Sequence, residues 1–253
     1  MSRLRNVLLP LLTGQVMLLL WWLASALGWF PVGTVPSPPE VAASLVEELR
    51  SSRLITHMIA SLYRVSWGFC AGAVTGVGFG LLVSRSPVAR AAVLPWINFF
   101  RSLSPIAWVP FAILWFGLGD PPAIFLIFMS TFFQLALSTI AAATTVPQVY
   151  YRVASEMGLP RREVLLGVTL PAIVPNLVLS LRVAAGVAWM VVVAAEMIAR
   201  DSGLGFLVLD ARSGLRMDLV VVAMVTIGAI GICLDLLFAR VMMIQSVRWG
   251  VER

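Results

Sequence analysis

Long apolar runs separated by short polar breaks dominate this chain. A membrane-spanning helix needs about 20 mostly apolar residues. Runs of that kind lie at roughly 7–29, 59–83, 94–118, 122–144, 172–199 and 219–239. They predict an all-α polytopic membrane protein with six transmembrane helices. The first run has a basic start, but it lacks a small-residue cleavage site and continues too far for a cleaved leader. It is therefore expected to be a retained span. After Pro36-Ser37-Pro38-Pro39, residues Val41, Leu45, Val46 and Leu49 recur at helical spacing, with Glu47, Glu48 and Arg50 on other faces. That pattern predicts a short amphipathic helix on the outer surface. The expected organisation is an N-terminal span and surface helix over 1–58, then a five-span core over 59–253 that carries a polar loop at 145–171.

That loop is too long to be mere connection between two spans. Thr145-Val146-Pro147 reads as a helix start, with Thr145 as cap and proline in the first turn. Tyr150, Val153, Ala154 and Met157 form one apolar stripe. Gly158 suits a helix stop because it tolerates left-handed backbone angles. Pro160 opens a second helix that carries Arg161, Arg162 and Glu163, and Leu170-Pro171 leads into the fifth span. The expected object is a short helix projecting from the membrane, a sharp turn and a helix leading back. It either anchors the loop at the interface or transmits motion from a partner.

Within the second span, Gly68, Gly72, Gly76 and Gly80 recur at strict four-residue spacing. One helix face is then free of side chains, which allows close backbone approach to another helix. That helix belongs either to the same chain or to a second copy.

Composition agrees with a membrane protein: 60% of residues are hydrophobic and 12% charged, against about 25% charged in soluble domains. All 18 basic residues are arginine. A Walker A loop requires a lysine at the phosphates, so any ATP that drives this chain must be bound by another polypeptide. The net charge of +6 reports membrane orientation rather than nucleic-acid binding. Arg3, Arg5, Arg85, Arg90, Arg152, Arg161, Arg162, Arg240, Arg248 and Arg253 fall on one side of six spans, and Arg50, Arg53, Arg200, Arg212 and Arg216 on the other. The arginine-rich side is the cytoplasmic one, so both termini and the 145–171 loop are expected there. Cys70 and Cys233 lie in apolar runs and do not suggest a disulfide or metal site. The single histidine, His57, excludes paired-histidine metal sites and suits a surface or helix-cap role.

In the loop, Ala154 is followed after three residues by Gly158, and Gly158 after nine by Val168-x-Leu170-Pro171. This spacing resembles the cytoplasmic coupling loop of ABC-importer permeases, the membrane subunits that dock onto a separate ATPase. In that family a Glu-Ala-Ala triplet precedes the glycine. Here Arg152, Val153 and Ala154 stand at those positions, so the glutamate is absent. The glycine, the spacing and the Leu-Pro ending are kept. The run Arg101-Ser102-Leu103-Ser104-Pro105-Ile106-Ala107-Trp108-Val109-Pro110, then Ile113-Leu114-Trp115-Phe116-Gly117, resembles the nitrate/sulfonate/taurine branch. So do Pro36-Ser37-Pro38, Ala195-Glu196-Met197 and Gly203-Leu204-Gly205.

The resemblance implies a homodimer of permeases in a bacterial inner membrane. Cytoplasmic ATPase subunits would bind ATP and Mg, and a periplasmic or lipid-anchored protein would deliver substrate. The path would face outward with ATP bound and inward after hydrolysis. ATPase coupling would fall on Tyr150, Tyr151, Val153, Ala154, Glu156, Met157, Gly158, Leu159 and Pro160. The branch handles small anions such as nitrate, bicarbonate, cyanate and alkyl sulfonates, and it includes carriers of neutral vitamin precursors.

Five charges fall inside spans: Arg64, Arg101, Arg182, Glu196 and Asp235. Intramembrane charges are functional candidates by default, although long arginines also snorkel and helices also pair. The third span is the stronger pathway candidate. Pro105 and Pro110 each delete a backbone donor, and broken helices persist where the freed backbone is buried or lines a cavity. Ser102 and Ser104 add hydroxyls, and Trp108 adds a plug-like ring. The expected path or gate comprises Arg101, Ser104, Pro105 and Trp108, with Arg182 and Glu196. The bland alternative for the third span is a kinked packing helix. A secondary transporter would need mid-membrane ion-coupling residues and often internal repeats; a membrane enzyme would need a catalytic polar cluster. The sequence offers neither.

Overall fold

A computed structural model describes residues 2–29, 31, 33–199 and 201–242. Arg200, Arg248 and Arg253, counted above for sidedness, lie outside them. The described residues form helices and turns, with no strand. In chain order these are α1 (Ser2–Ala26), α2 (Pro38–Arg50), α3 (Arg53–Ser84), α4 (Pro87–Ser102), a 3₁₀ turn (Pro105–Trp108), α5 (Val109–Phe116), α6 (Asp120–Thr144), α7 (Gln148–Glu156) and α8 (Arg161–Val164). A π-turn (Leu165–Thr169), α9 (Leu170–Ala199), α10 (Leu204–Ser213) and α11 (Met217–Met242) follow.

Five helices are long and apolar enough to cross a membrane, and a sixth span exists if α4 and the 105–116 segment count as one. Those two pieces meet at 89°, so the break expected within the 94–118 span is a sharp bend. The cause is local. Leu103 and Ser104 are extended (ψ 130° at each), Ser104 because a residue before proline is driven out of the helical region. Pro105 then starts a new helix. Pro110 does not break anything: it sits in the first turn of α5, where its missing N–H has no helical acceptor to lose.

The residues group into two compact units, Met1–Ala60 with Ser202–Gly228 and Ser61–Asp201 with Ala229–Arg253. The first unit thus joins the N-terminal stretch to residues 202–228, which the sequence pattern assigns to the core.

In the first unit, α2 follows Ser37, whose N–H donates to Glu40 at 2.8 Å. The buried side of α2 is Val41, Ser44 and Glu48, not the stripe Val41, Leu45, Val46 and Leu49. Val46 and Leu49 are exposed. Polar pairing explains the inversion. Ser44 Oγ donates to Asp218 at 2.6 Å, Glu48 lies 3.6 Å from Arg53, and Arg53 reaches Asp210 at 2.7 Å. Asp218 also accepts from Arg216 at 2.8 Å, which holds that guanidinium above its ordinary value. His57 is buried. Its Nδ1 accepts the Gly203 N–H at 3.0 Å, at the start of α10.

In the second unit, α6 is packed by α3, α4, α5 and α9. The four glycines of α3 meet α6 of the same chain. A Cβ built at Gly68, Gly72, Gly76 or Gly80 would lie 2.6–2.8 Å from atoms of Ile127, Thr131, Phe132 and Thr139. Only hydrogen fits there. Cys70 and Cys233 are free and exposed on their helices.

Candidate coupling helix and substrate path

The polar loop builds from two turns. Thr145 does not cap α7. It ends α6, and its hydroxyl donates back to Ala142 at 2.8 Å. Pro147 precedes α7 in extended conformation, fixing where the new helix begins. At the other end, Gly158 has φ +69°. Its N–H donates to Ser155, and the Leu159 N–H donates to Ala154, each at 3.0 Å. This paired closure is available to glycine without a Cβ clash. Pro160 then directs the chain into α8.

Helical periodicity gives α7 two opposite faces. Gln148, Tyr151 and Ser155 lie on one. Tyr151 packs with Val146, Ile173 and Leu177, and its hydroxyl is 3.3 Å from that of Thr169. Tyr150, Val153 and Met157 lie on the other and are exposed, Met157 at 70%. Ala154 is the one buried residue of α7, at 2%. Arg152 and Glu156 are also exposed. The helix is thus rooted on α6 and α9 through one face and presents apolar side chains on the other. Leu159 is half-buried, and Gly158 and Pro160 are exposed.

At the bend, a cavity of about 160 Å³ is lined by Arg101, Pro105 and Trp108 together with Ser130 and Gln134 of α6. Among the described residues, the Arg101 guanidinium has no ion-pair or hydrogen-bond partner. Trp108 is half-buried against the rings of Phe100, Phe111 and Trp115, so it is part of an aromatic cluster rather than an isolated plug. Ser104 starts the 3₁₀ turn and is exposed. Ser102 donates to Asn98 of its own helix at 2.8 Å. Ser130 and Gln134 give no sequence signal, because uncharged polar residues scattered in an apolar helix form no motif.

The remaining charges are brought together elsewhere. Arg64 (1% exposed) reaches Glu196 (0%) at 2.6 Å and Asp120 at 2.7 Å. Ser61 Oγ donates to both Glu196 oxygens at 2.9 Å. Arg182 and Asp235 form a bidentate pair at 2.6 Å, with both side chains partly exposed. Neither Arg182 nor Glu196 lines the cavity at the bend.

Residues 68–247 match the family described as "Binding-protein-dependent transport system inner membrane component". The chain is 33% identical over 237 residues to the taurine transport system permease protein TauC of Escherichia coli (strain K12), which covers 92% of this chain and 86% of that protein. It is 31% identical over 250 residues to the bicarbonate transport system permease protein CmpB of Synechococcus elongatus, covering 92% and 87%. Among solved structures it is similar to a chain of the inward-facing MetNI methionine ABC transporter, with TM-score 0.66 and 18% identity over 74% of this chain and 94% of that one. At 18% identity this last likeness is one of fold.

Proposed function

Because the chain belongs to the family of binding-protein-dependent transport system inner membrane components, we propose that two copies of it enclose the substrate path of an ATP-driven importer. In this reading α7 carries the stroke of a separate cytoplasmic ATPase to α6 and α9. The chain is a permease subunit, one part of a transport complex. It has no lysine and hence no Walker A loop, so ATP and Mg belong to the ATPase. The count of ten arginines against five favours a cytoplasmic 145–171 loop and cytoplasmic termini in a bacterial inner membrane.

The observation that carries the coupling role is the two-faced α7. A short helix with exposed Tyr150, Val153 and Met157, held at its root by Tyr151, behaves as a rigid knob that fits an apolar cleft. When paired ATPases close, the two knobs move with them, and α6 and α9 tilt. The path opens outward with ATP bound and inward after hydrolysis, while an external binding protein supplies substrate. Replacing Val153 and Met157 together by Asp should lower recovery of the co-expressed ATPase on the tagged chain about tenfold or more, with the chain still monodisperse. Undiminished recovery would falsify the docking role.

The proposed substrate is a small anion of the nitrate, bicarbonate, sulfonate or taurine class. Relatives named for taurine and bicarbonate support this. So does the cavity at the bend, where Arg101 stands with Ser130 and Gln134 as hydrogen-bonding groups for an oxyanion. The ligand retained by the exported binding protein is the decisive measurement, and a ligand with no oxyanion group there overturns the assignment.

A further inference from the structure

A second and larger cavity, of about 600 Å³, lies under the opposite face of α7. Its walls include Arg85 after α3, Arg90 in the first turns of α4 and Arg161 at the start of α8, with Gln148, Tyr151 and Ser155 of α7. No aspartate or glutamate lines it. Among the described residues, none of the three guanidinium groups has an ion-pair or hydrogen-bond partner. Four arginines elsewhere, Arg53, Arg64, Arg182 and Arg216, each reach a carboxylate, whereas these three share one space with none. Three like charges converging on one space repel one another unless an anion enters it. The size suits a small-molecule site.

We propose that this cavity binds a phosphate-type oxyanion. Guanidinium groups grip such oxygens in pairs, and the Tyr151, Ser155 and Gln148 side chains supply further hydrogen bonds. Arg85 and Arg161 are exposed and Arg90 is half-buried, so the anion reaches them from outside the fold. The ligand is either the headgroup of an anionic phospholipid or a free oxyanion. Once bound, it ties the α3–α4 turn to the root of the 145–171 loop. The apolar face of α7 points away and stays clear for a partner. Binding is a property of the chain alone and does not depend on whether α7 docks an ATPase.

The test uses the full-length chain in a neutral detergent, read by native mass spectrometry and by thermal unfolding. Phosphatidylglycerol, phosphatidylcholine and inorganic phosphate are titrated separately. Phosphatidylglycerol is expected to remain bound and to raise the unfolding temperature where phosphatidylcholine does not. Arg85→Gln, Arg90→Gln and Arg161→Gln should each weaken that binding about fivefold or more. Arg90→Lys, which keeps the charge but loses the paired donors, should weaken binding less than Arg90→Gln and guards against a misfolded glutamine variant. Arg162→Gln, on α8 but outside the cavity lining, should leave it unchanged. Protection by phosphate alone, with displacement of the lipid, assigns the site to a free anion; protection by the lipid alone assigns it to a headgroup. The proposal is overturned if neither anion is preferred over phosphatidylcholine, or if Arg162→Gln weakens binding as much as the three cavity variants.

Discussion

Arg64 offers the sharpest stability prediction. It is 1% exposed and stands between two carboxylates, Glu196 at 2.6 Å and Asp120 at 2.7 Å. Replacing it by Met keeps apolar bulk but leaves Glu196, at 0% exposure, beside Asp120 without the shared cation. Removing one partner from a buried pair costs about 3–5 kcal/mol, and the added facing of like charges puts Arg64→Met at the upper end. Glu196→Gln is milder. Arg64 keeps Asp120, and the amide retains hydrogen-bonding atoms toward Ser61, so the loss should be about 1.5–3 kcal/mol, the worth of a charged hydrogen bond. Arg64→Met with Glu196→Leu should then recover part of the loss, because both buried charges are gone. The assay is the midpoint of unfolding by sodium dodecyl sulfate, run on the parent, Arg64→Met, Glu196→Leu and the double variant as a double-mutant cycle, with Glu196→Gln measured beside them. An Arg64→Met protein within about 1 kcal/mol of the parent would refute the reasoning.

Other perturbations follow from single features. Gly76→Ala places a Cβ 2.7 Å from the Phe132 carbonyl oxygen, so α3 and α6 must part, at about 1–3 kcal/mol by the same unfolding assay; Gly78→Ala meets nothing within 4 Å and should be neutral or stabilising. Gly158→Ala forces a side chain into φ +69° at about 1–2 kcal/mol, read as faster proteolysis within 145–171, with Gly158→Asn milder. Trp108→Ala opens the aromatic cluster at the bend. It should change uptake or ATPase coupling in the reconstituted complex while folded protein is retained; unchanged transport counts against a gate.

The sequence makes the apolar membrane helices legible, because the apolar runs are long and the breaks are marked by proline and glycine; their lengths are less so, since α3 runs to 32 residues where the apolar run covers 59–83. The four-residue glycine spacing foretells a close helix contact, and the structure adds that the partner is α6 of the same chain. The buried face of α2 is not legible. Lipid is as apolar as a protein interior, so Val46 and Leu49 can face outward while Ser44 turns inward to the distant Asp218 and Glu48 to Arg53 at the start of α3. Pro105 marks where the third span breaks but not the angle of 89°, and Pro110 looks equivalent although it costs nothing in a first turn. Arg64 and Glu196 are each visible as intramembrane charges, but no local pattern links residues 132 positions apart. The cavity at the bend is half legible: Arg101, Pro105 and Trp108 come from a dense motif, whereas Ser130 and Gln134 form no motif on α6.

The π-turn at Leu165–Thr169 sets the azimuth at which the foot formed by α7 and α8 leaves its shaft, α9. A wide turn holds about one residue more than an α-turn, and one residue is about 100° of winding. Two permeases with loops of equal length but different winding at this point would aim their feet at different compass points. Their engines would not be interchangeable.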